Sequence, residues 1–171
     1  MSRWRDHAIL GALSGAGTIV LLPALAQDLR TIGDYQAWSA ATFTADDVKT
    51  CYAVSTPAES VPKNVRRGEI HVMVSRRSSA PADELILVSG YPFKDGSMAR
   101  VSIGPSTFNL TTANEFAWVP VGEGAEPVVK AMIGGQQMIV EGLSARGTET
   151  TDTYSLLGFT AAYQAIVKTC K

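Results

Sequence analysis

The stretch GEIHVMVSR, residues 68–76, has the alternation that decides the fold class. Ile70, Val72 and Val74 fall on one face of an extended chain, and mostly polar residues fall on the other. A repeat of two predicts a β-strand with one face toward a core. The next apolar run, LILV at 85–88, is apolar on both faces, which predicts a strand in the middle of a sheet.

Similar short segments recur along the rest of the chain, separated by glycine- and proline-containing turns. The further strand candidates are residues 35–40, 50–54, 98–103, 107–111, 115–119, 136–144 and 151–157. Many short strands at close spacing are typical of an antiparallel sheet folded on itself. The sequence therefore predicts a mostly β fold, an antiparallel β-sandwich or barrel-like domain.

Two segments carry helical patterns instead. Residues 128–133 follow Pro127 and precede two glycines, which predicts a short helix. The second pattern is an apolar stripe with i, i+3, i+4 spacing near the end of the chain, made by Phe159, Ala162, Tyr163, Ile166, Val167 and Cys170. This stripe predicts a C-terminal helix packed on the sheet, with its last cysteine on the buried face.

The start of the chain has the pattern of an export signal. Arg3 and Arg5 precede an apolar run at 8–22, and small residues follow it. A membrane helix is the alternative, but the run is shorter than the ~20 residues that cross a bilayer. We predict that residues 1–26 are a cleaved signal peptide and that 27–171 form a single domain. The product would be periplasmic, or at the cell surface or secreted, with no transmembrane segment after cleavage.

Cys51 and Cys170 are the two cysteines of the chain. An even pair in an oxidising compartment is expected to form a disulfide. Beyond the predicted signal peptide, His71 is the one histidine, which leaves too few ligands for a usual zinc site unless carboxylates complete it. No C-x-x-C motif supports a redox role. We therefore predict a structural disulfide and no metal.

Charge and motifs bound the function. The chain holds 15 Lys and Arg against 16 Asp and Glu, which lacks the basic excess typical of a nucleic-acid binder. No common catalytic or nucleotide-binding motif is present, so we predict no enzyme activity, no catalytic residue and no cofactor. The alternative is a periplasmic hydrolase or small-ligand enzyme using His71 or Asp152. Both residues also fit ordinary positions on alternating strands.

The segment GYPFKDGS at 90–97 is the candidate binding loop. Tyr91 and Phe93 beside Lys94 combine aromatic groups with a polar rim, as binding hot spots do. The alternative is that both rings form a hydrophobic plug beneath the loop. The partner would be a protein or a cell-envelope component, and the oligomeric state is left open.

The chain resembles the invasion-associated locus B family of bacterial exported proteins from about Gly33 to Cys170. The residues that carry the resemblance are Trp38, Cys51-Tyr52, Arg67-Gly68, Gly90-Tyr91-Pro92-Phe93 with Gly96-Ser97, Ala131-Met132, SARGT at 144–148, DTYSL at 152–156 and GFTAA at 158–162. The resemblance implies a β-sandwich-like fold, a Gram-negative periplasm or outer surface, and a link to host-cell invasion, virulence or envelope integrity. It implies no catalytic set.

Overall fold

The computed structural model describes residues 29–171, so the predicted signal peptide and its cleavage point lie outside the described residues. The described part forms eleven strands and two helices. The strands are β1 (Arg30–Tyr35), β2 (Trp38–Ala45), β3 (Val48–Ser55), β4 (Glu59–Val61), β5 (His71–Arg77), β6 (Ala80–Val88), β7 (Met98–Ile103), β8 (Ser106–Ala113), β9 (Phe116–Trp118), β10 (Gln137–Leu143) and β11 (Glu149–Ser155); the helices are α1 (Glu126–Gly134) and α2 (Phe159–Thr169).

All eleven strands belong to one antiparallel sheet, in the order β1-β2-β3-β5-β6-β9-β8-β7-β10-β11-β4. The mostly β prediction is confirmed, but the sheet is not closed into a barrel. β2 and β11 stand near opposite ends of the strand order, yet the start of β2 contacts the end of β11. The sheet is therefore strongly curled. Trp38 Nε1 donates to the Ser155 carbonyl at 2.9 Å, and Ala37 N donates to the Leu157 carbonyl at 3.2 Å.

The concave face of this curled sheet carries the core. On β5 the side chains of Val72 and Val74 are fully buried, and they pair in register with Leu87 and Leu85 of β6. This confirms the alternation expected at 68–76, although the strand itself begins at His71. Every second residue of a strand points to the same face of the sheet. On the inner face, the apolar residues at these positions form a continuous layer from strand to strand.

The predicted C-terminal helix is confirmed as α2, which packs against β1, β2, β3 and β5. Its buried residues are Phe159, Ala162 and Ile166, and the Phe159 ring meets Trp38 edge to face with centroids 4.7 Å apart. The predicted short helix is α1, which begins at Glu126 and contacts β6 and α2. Within residues 29–171, neither helix is long and apolar enough to cross a membrane.

The predicted disulfide joins Cys51 of β3 to Cys170, the residue after α2, with Cα atoms 5.9 Å apart. Both cysteines are buried. The bond therefore fastens the last helix to the sheet it covers, across 119 positions of chain.

One predicted strand is wrong. Residues 35–40 do not form a single strand, because Tyr35 ends β1 and Trp38 begins β2, with a two-residue turn between them. Gln36 has a φ of 56°, which reverses the chain direction. Neither turn residue is a glycine or asparagine, so the usual sequence signal for a tight hairpin is missing here.

Candidate binding site

A buried ion pair lies between the loop before β5 and the inner face of β11. Arg67 Nη1 donates to Asp152 Oδ1 at 2.7 Å, and its Nη2 donates to Oδ2 at 2.6 Å. Only 7% of the Arg67 side chain and 5% of the Asp152 side chain are exposed. Parallel charge-assisted bonds of this kind fix both groups in one orientation. Asp152 therefore has both carboxylate oxygens engaged.

The Arg67 guanidinium has two further contacts. Its Nε and Nη2 donate to the Ser89 carbonyl at 3.0 and 2.7 Å, and its Cζ lies 4.9 Å from the centroid of the Tyr91 ring. A guanidinium has five N–H hydrogens, and these bonds use four of them. The second hydrogen on Nη1 has no acceptor among residues 29–171.

The backbone around Arg67 is held by a close contact between two glycines. Gly68 N donates to the Gly90 carbonyl at 2.7 Å. Gly90 has a φ of 71°, and a Cβ added to it would lie 2.7 Å from the Gly68 oxygen. Position 90 therefore requires glycine, both because of its positive φ and because of the short contact with Gly68. Next to it, Ser89 Oγ donates to the Tyr91 carbonyl at 2.6 Å, which sets the direction of the following loop.

Tyr91 and Phe93 are each only 5% exposed, so the expectation that this loop presents both rings to a partner does not hold in the structure. Their rings meet edge to face with centroids 5.2 Å apart, and the Tyr91 hydroxyl shares a hydrogen bond with Thr150. Burial raises the pKa of Tyr91, with a smaller opposing effect of the Thr150 bond. The two rings form the hydrophobic plug that was the alternative prediction for this loop, whereas Lys94 is exposed.

A cleft of about 240 Å³ opens beside the ion pair. Its lining combines arginines, hydroxyl groups and one amide, and no acidic residue contributes to it. The lining residues are Asn64, Val65, Arg66, Arg67, Tyr91, Ser144, Arg146, Thr148 and Thr150. Arg66 and Arg146 are exposed, and within residues 29–171 neither has an ion pair or a side-chain hydrogen bond. The cleft thus offers positive charge and hydrogen-bond donors.

The two residues considered for catalysis are not brought together. His71 pairs with Val88 on adjacent strands and lies half-buried, on the face of β5 opposite to buried Val72. No ion pair or side-chain hydrogen bond links His71 to any residue of the described part. Asp152 points inward and is paired with Arg67. Among residues 29–171, no cluster of His, Cys, Asp and Glu could hold a metal ion.

Sequence reasoning missed the partner of Asp152, although the signal for one is present. On β11, Asp152 and Tyr154 are two positions apart and therefore share a face, and both are buried. A carboxylate on a core-facing position needs a cation and further hydrogen bonds, because an unpaired buried charge is costly. The alternation could have predicted a buried cationic partner, but not that Arg67 provides it.

Comparison with known proteins gives three findings. A family model described as "Invasion associated locus B (IalB) protein" matches residues 38–167. The crystal structure of invasion associated protein B from Bartonella henselae is similar in fold, with a TM-score of 0.61 and 13% sequence identity, over 81% of this chain and 95% of that chain. A search of curated proteins found no match.

Proposed function

The chain belongs to the invasion-associated locus B family, and from this premise we propose that it is an exported, non-enzymatic module that binds a protein or another component of the bacterial envelope. The binding site in this proposal is the cleft beside Arg67. The protein would act in the periplasm or at the outer surface of a Gram-negative cell, in envelope integrity or host-cell invasion.

The composition of the cleft is the observation that carries this proposal. A catalytic site for hydrolysis needs a group that accepts a proton, usually a histidine or a free carboxylate. The residues that line the cleft include no histidine and no carboxylate, and arginine does not lose its proton in proteins. Asp152, the carboxylate paired with the cleft-lining Arg67, has both oxygens bonded to that arginine. The arrangement suits recognition of a ligand better than chemistry on it.

The roles first considered for the 90–97 loop change accordingly. Tyr91 belongs to the wall of the cleft, where its ring lies against the Arg67 guanidinium. Phe93 packs behind Tyr91 and supports it. Lys94 is exposed and lies outside the lining of the cleft. In the proposal, recognition depends on the arginines at the cleft, with Tyr91 as part of the rigid frame.

Crosslinking in cells that express the full chain tests the proposal. A photoreactive amino acid replaces Ala145, an exposed residue between the cleft-lining Ser144 and Arg146. The matched control replaces Lys168, an exposed residue of α2. We expect a discrete adduct with an envelope component from position 145 but not from position 168, and we expect the protein in the periplasmic fraction.

A second pair of variants makes the test specific to the cleft. Arg66→Ala should remove the adduct formed at position 145, whereas Arg77→Ala, which removes an exposed arginine outside the cleft, should not. Identical adducts from positions 145 and 168, or an adduct that survives Arg66→Ala, would overturn the proposal.

A further inference from the structure

We infer that the cleft beside Arg67 is a phosphate-binding site, which takes a phosphate monoester at the end of a larger molecule. The inference rests on the proposed function in using the same cleft, and it adds the chemical class of the group that is bound.

The charge at the cleft matches a phosphate monoester. Arg66, Arg67 and Arg146 bring three positive charges, and Asp152 beneath them brings one negative charge, which leaves a net charge of +2. A phosphate monoester carries about −1.5 to −2 at pH 7, whereas a carboxylate carries −1. With Arg66 and Arg146 unpaired within the described part of the chain, a phosphate would supply the missing partner for both.

The hydrogen-bond donors at the cleft also fit phosphate oxygens. Arginine forks bind phosphate through paired N–H···O bonds, and two exposed forks flank this cleft. The free Nη1 hydrogen of Arg67 adds a donor on a buried side chain. Ser144 Oγ accepts a bond from Thr148 N at 3.0 Å, which leaves the Ser144 hydroxyl hydrogen available. Together these groups offer enough N–H and O–H donors for the three oxygens of a phosphate monoester.

Arg67 is positioned before any ligand arrives. Asp152 holds one edge of its guanidinium, the Ser89 carbonyl holds another, and the Tyr91 ring lies on its face. A donor fixed in this way loses little conformational entropy on binding, which is the advantage of a preorganised site. The buried pair is thus the rigid base of the cleft, and in this inference the exposed Arg66 and Arg146 supply the remaining positive charge.

The size of the cleft limits what it can hold. Its volume of about 240 Å³ is below the ~300–1,000 Å³ of pockets that enclose a whole small molecule. A phosphate with part of an attached sugar fits such a space, and the rest of the molecule would remain outside. The phosphate could therefore belong to a soluble phosphosugar or to a lipid headgroup, which share the recognised chemistry.

Binding measurements on the protein purified from a host that expresses the full chain test the inference. Glucose 1-phosphate is titrated by calorimetry as the soluble probe, and glucuronic acid is the carboxylate probe. Phosphatidylcholine vesicles with or without phosphatidic acid provide the lipid probe in a flotation assay. We expect binding to a phosphate probe at least about tenfold tighter than to glucuronic acid, because two exposed arginines lose a charge-assisted bond when phosphate is replaced.

Two double variants with the same loss of charge provide the control. Arg66→Ala with Arg146→Ala should weaken phosphate binding at least about tenfold. Arg77→Ala with Arg100→Ala removes two exposed arginines outside the cleft and should leave the affinity within twofold. Binding to glucose 1-phosphate alone identifies a soluble ligand, and binding only to phosphatidic acid vesicles identifies a lipid headgroup.

The inference is overturned if neither phosphate probe binds, if glucuronic acid binds as tightly, or if both double variants lose affinity equally. Its failure is distinguishable from failure of the proposed function. If the cleft-specific adduct forms in cells but the purified protein binds no phosphate probe, the proposed function stands and the phosphate inference fails. If the purified protein binds a phosphate probe but no adduct forms, the phosphate site stands and the proposed function fails.

Discussion

Arg67 and Asp152 are 85 positions apart in the chain, yet they meet in the interior through two parallel hydrogen bonds of 2.7 and 2.6 Å. The pair joins the loop between β4 and β5 to β11, and β5 and β11 are not neighbours in the ladder. It is therefore both a tie across the curled sheet and the base of the proposed binding cleft.

Removing the carboxylate charge tests how much the pair stabilises the fold. Asp152→Asn leaves a buried guanidinium without its counter-charge, so we expect a loss of about 3–5 kcal/mol in the free energy of unfolding. Urea denaturation followed by circular dichroism measures this loss. The double variant Arg67→Met with Asp152→Leu should recover part of it, because no unpaired charge remains buried. A loss below about 1 kcal/mol for Asp152→Asn would contradict the buried-pair argument.

Breaking the disulfide tests the attachment of α2. Replacing Cys51 and Cys170 together by Ala should lower the free energy of unfolding by about 4–5 kcal/mol, the value for closure of a loop of roughly this length in the chain-entropy model. The measurements are urea denaturation and limited proteolysis, with cleavage expected first at α2. The wild-type protein treated with a reductant should behave like the variant. A wild-type protein whose stability does not change on reduction would contradict the prediction.

Gly142 tests the packing behind Tyr91. A Cβ added to Gly142 would lie 2.5 Å from Tyr91 Oη and 2.8 Å from Phe93 Cε1, so one of two buried rings must move. We expect Gly142→Ala to destabilise the protein by about 1–3 kcal/mol. The control is Gly134→Ala at the end of α1, where an added Cβ meets no atom within 4 Å. Thermal melting should show the loss in the first variant and little or no loss in the second.

Tyr154 should make the stability of the fold depend on pH in the alkaline range. Burial raises the pKa of Tyr154, and the charge of Asp152 adds to this effect. An unfolded tyrosine titrates near pH ~10. The folded state therefore binds more protons above that pH, so the stabilisation is complete below about pH 10 and is lost as the pH rises further.

Tyr154→Phe removes the titrating hydroxyl. The melting temperature of the variant should therefore fall less than that of the wild-type protein between about pH 9 and pH 11. Circular dichroism follows unfolding, and the difference in phenolate absorbance between the two proteins follows ionisation of Tyr154. The wild-type phenol should ionise together with unfolding. Equal slopes of melting temperature against pH in both proteins would contradict the prediction.

The elements that sequence reasoning predicted well are those with local periodicity. The β5 alternation placed Val72 and Val74 in the core, and the helical stripe of α2 placed Cys170 against the sheet. Family resemblance came from residues spread over the same elements. For the strand and the helix the information lies within about ten neighbouring residues, because side-chain direction repeats every 2 or 3.6 positions.

The site was predicted less well, because its contacts join distant positions. The sequence places Asp152 on an alternating strand, but its pairing with Arg67 depends on how the sheet curls. The burial of Tyr91 and Phe93 depends on Gly142 of β10, which leaves space for both rings. Nothing local to residues 90–97 distinguishes an exposed aromatic loop from a buried plug.

The sequence by itself determined the fold class, the two helices and the disulfide, since periodic patterns and the two cysteines suffice for these, and particular residues between Trp38 and Cys170 carried the resemblance to the family. The tertiary structure alone decided that the sheet stays open, that the aromatic rings of the 90–97 loop turn inward, and that Arg66 and Arg146 lie beside one buried ion pair. These outcomes depend on which faces and edges meet after the chain folds, and the free energy of each contact is shared between residues that are far apart in sequence.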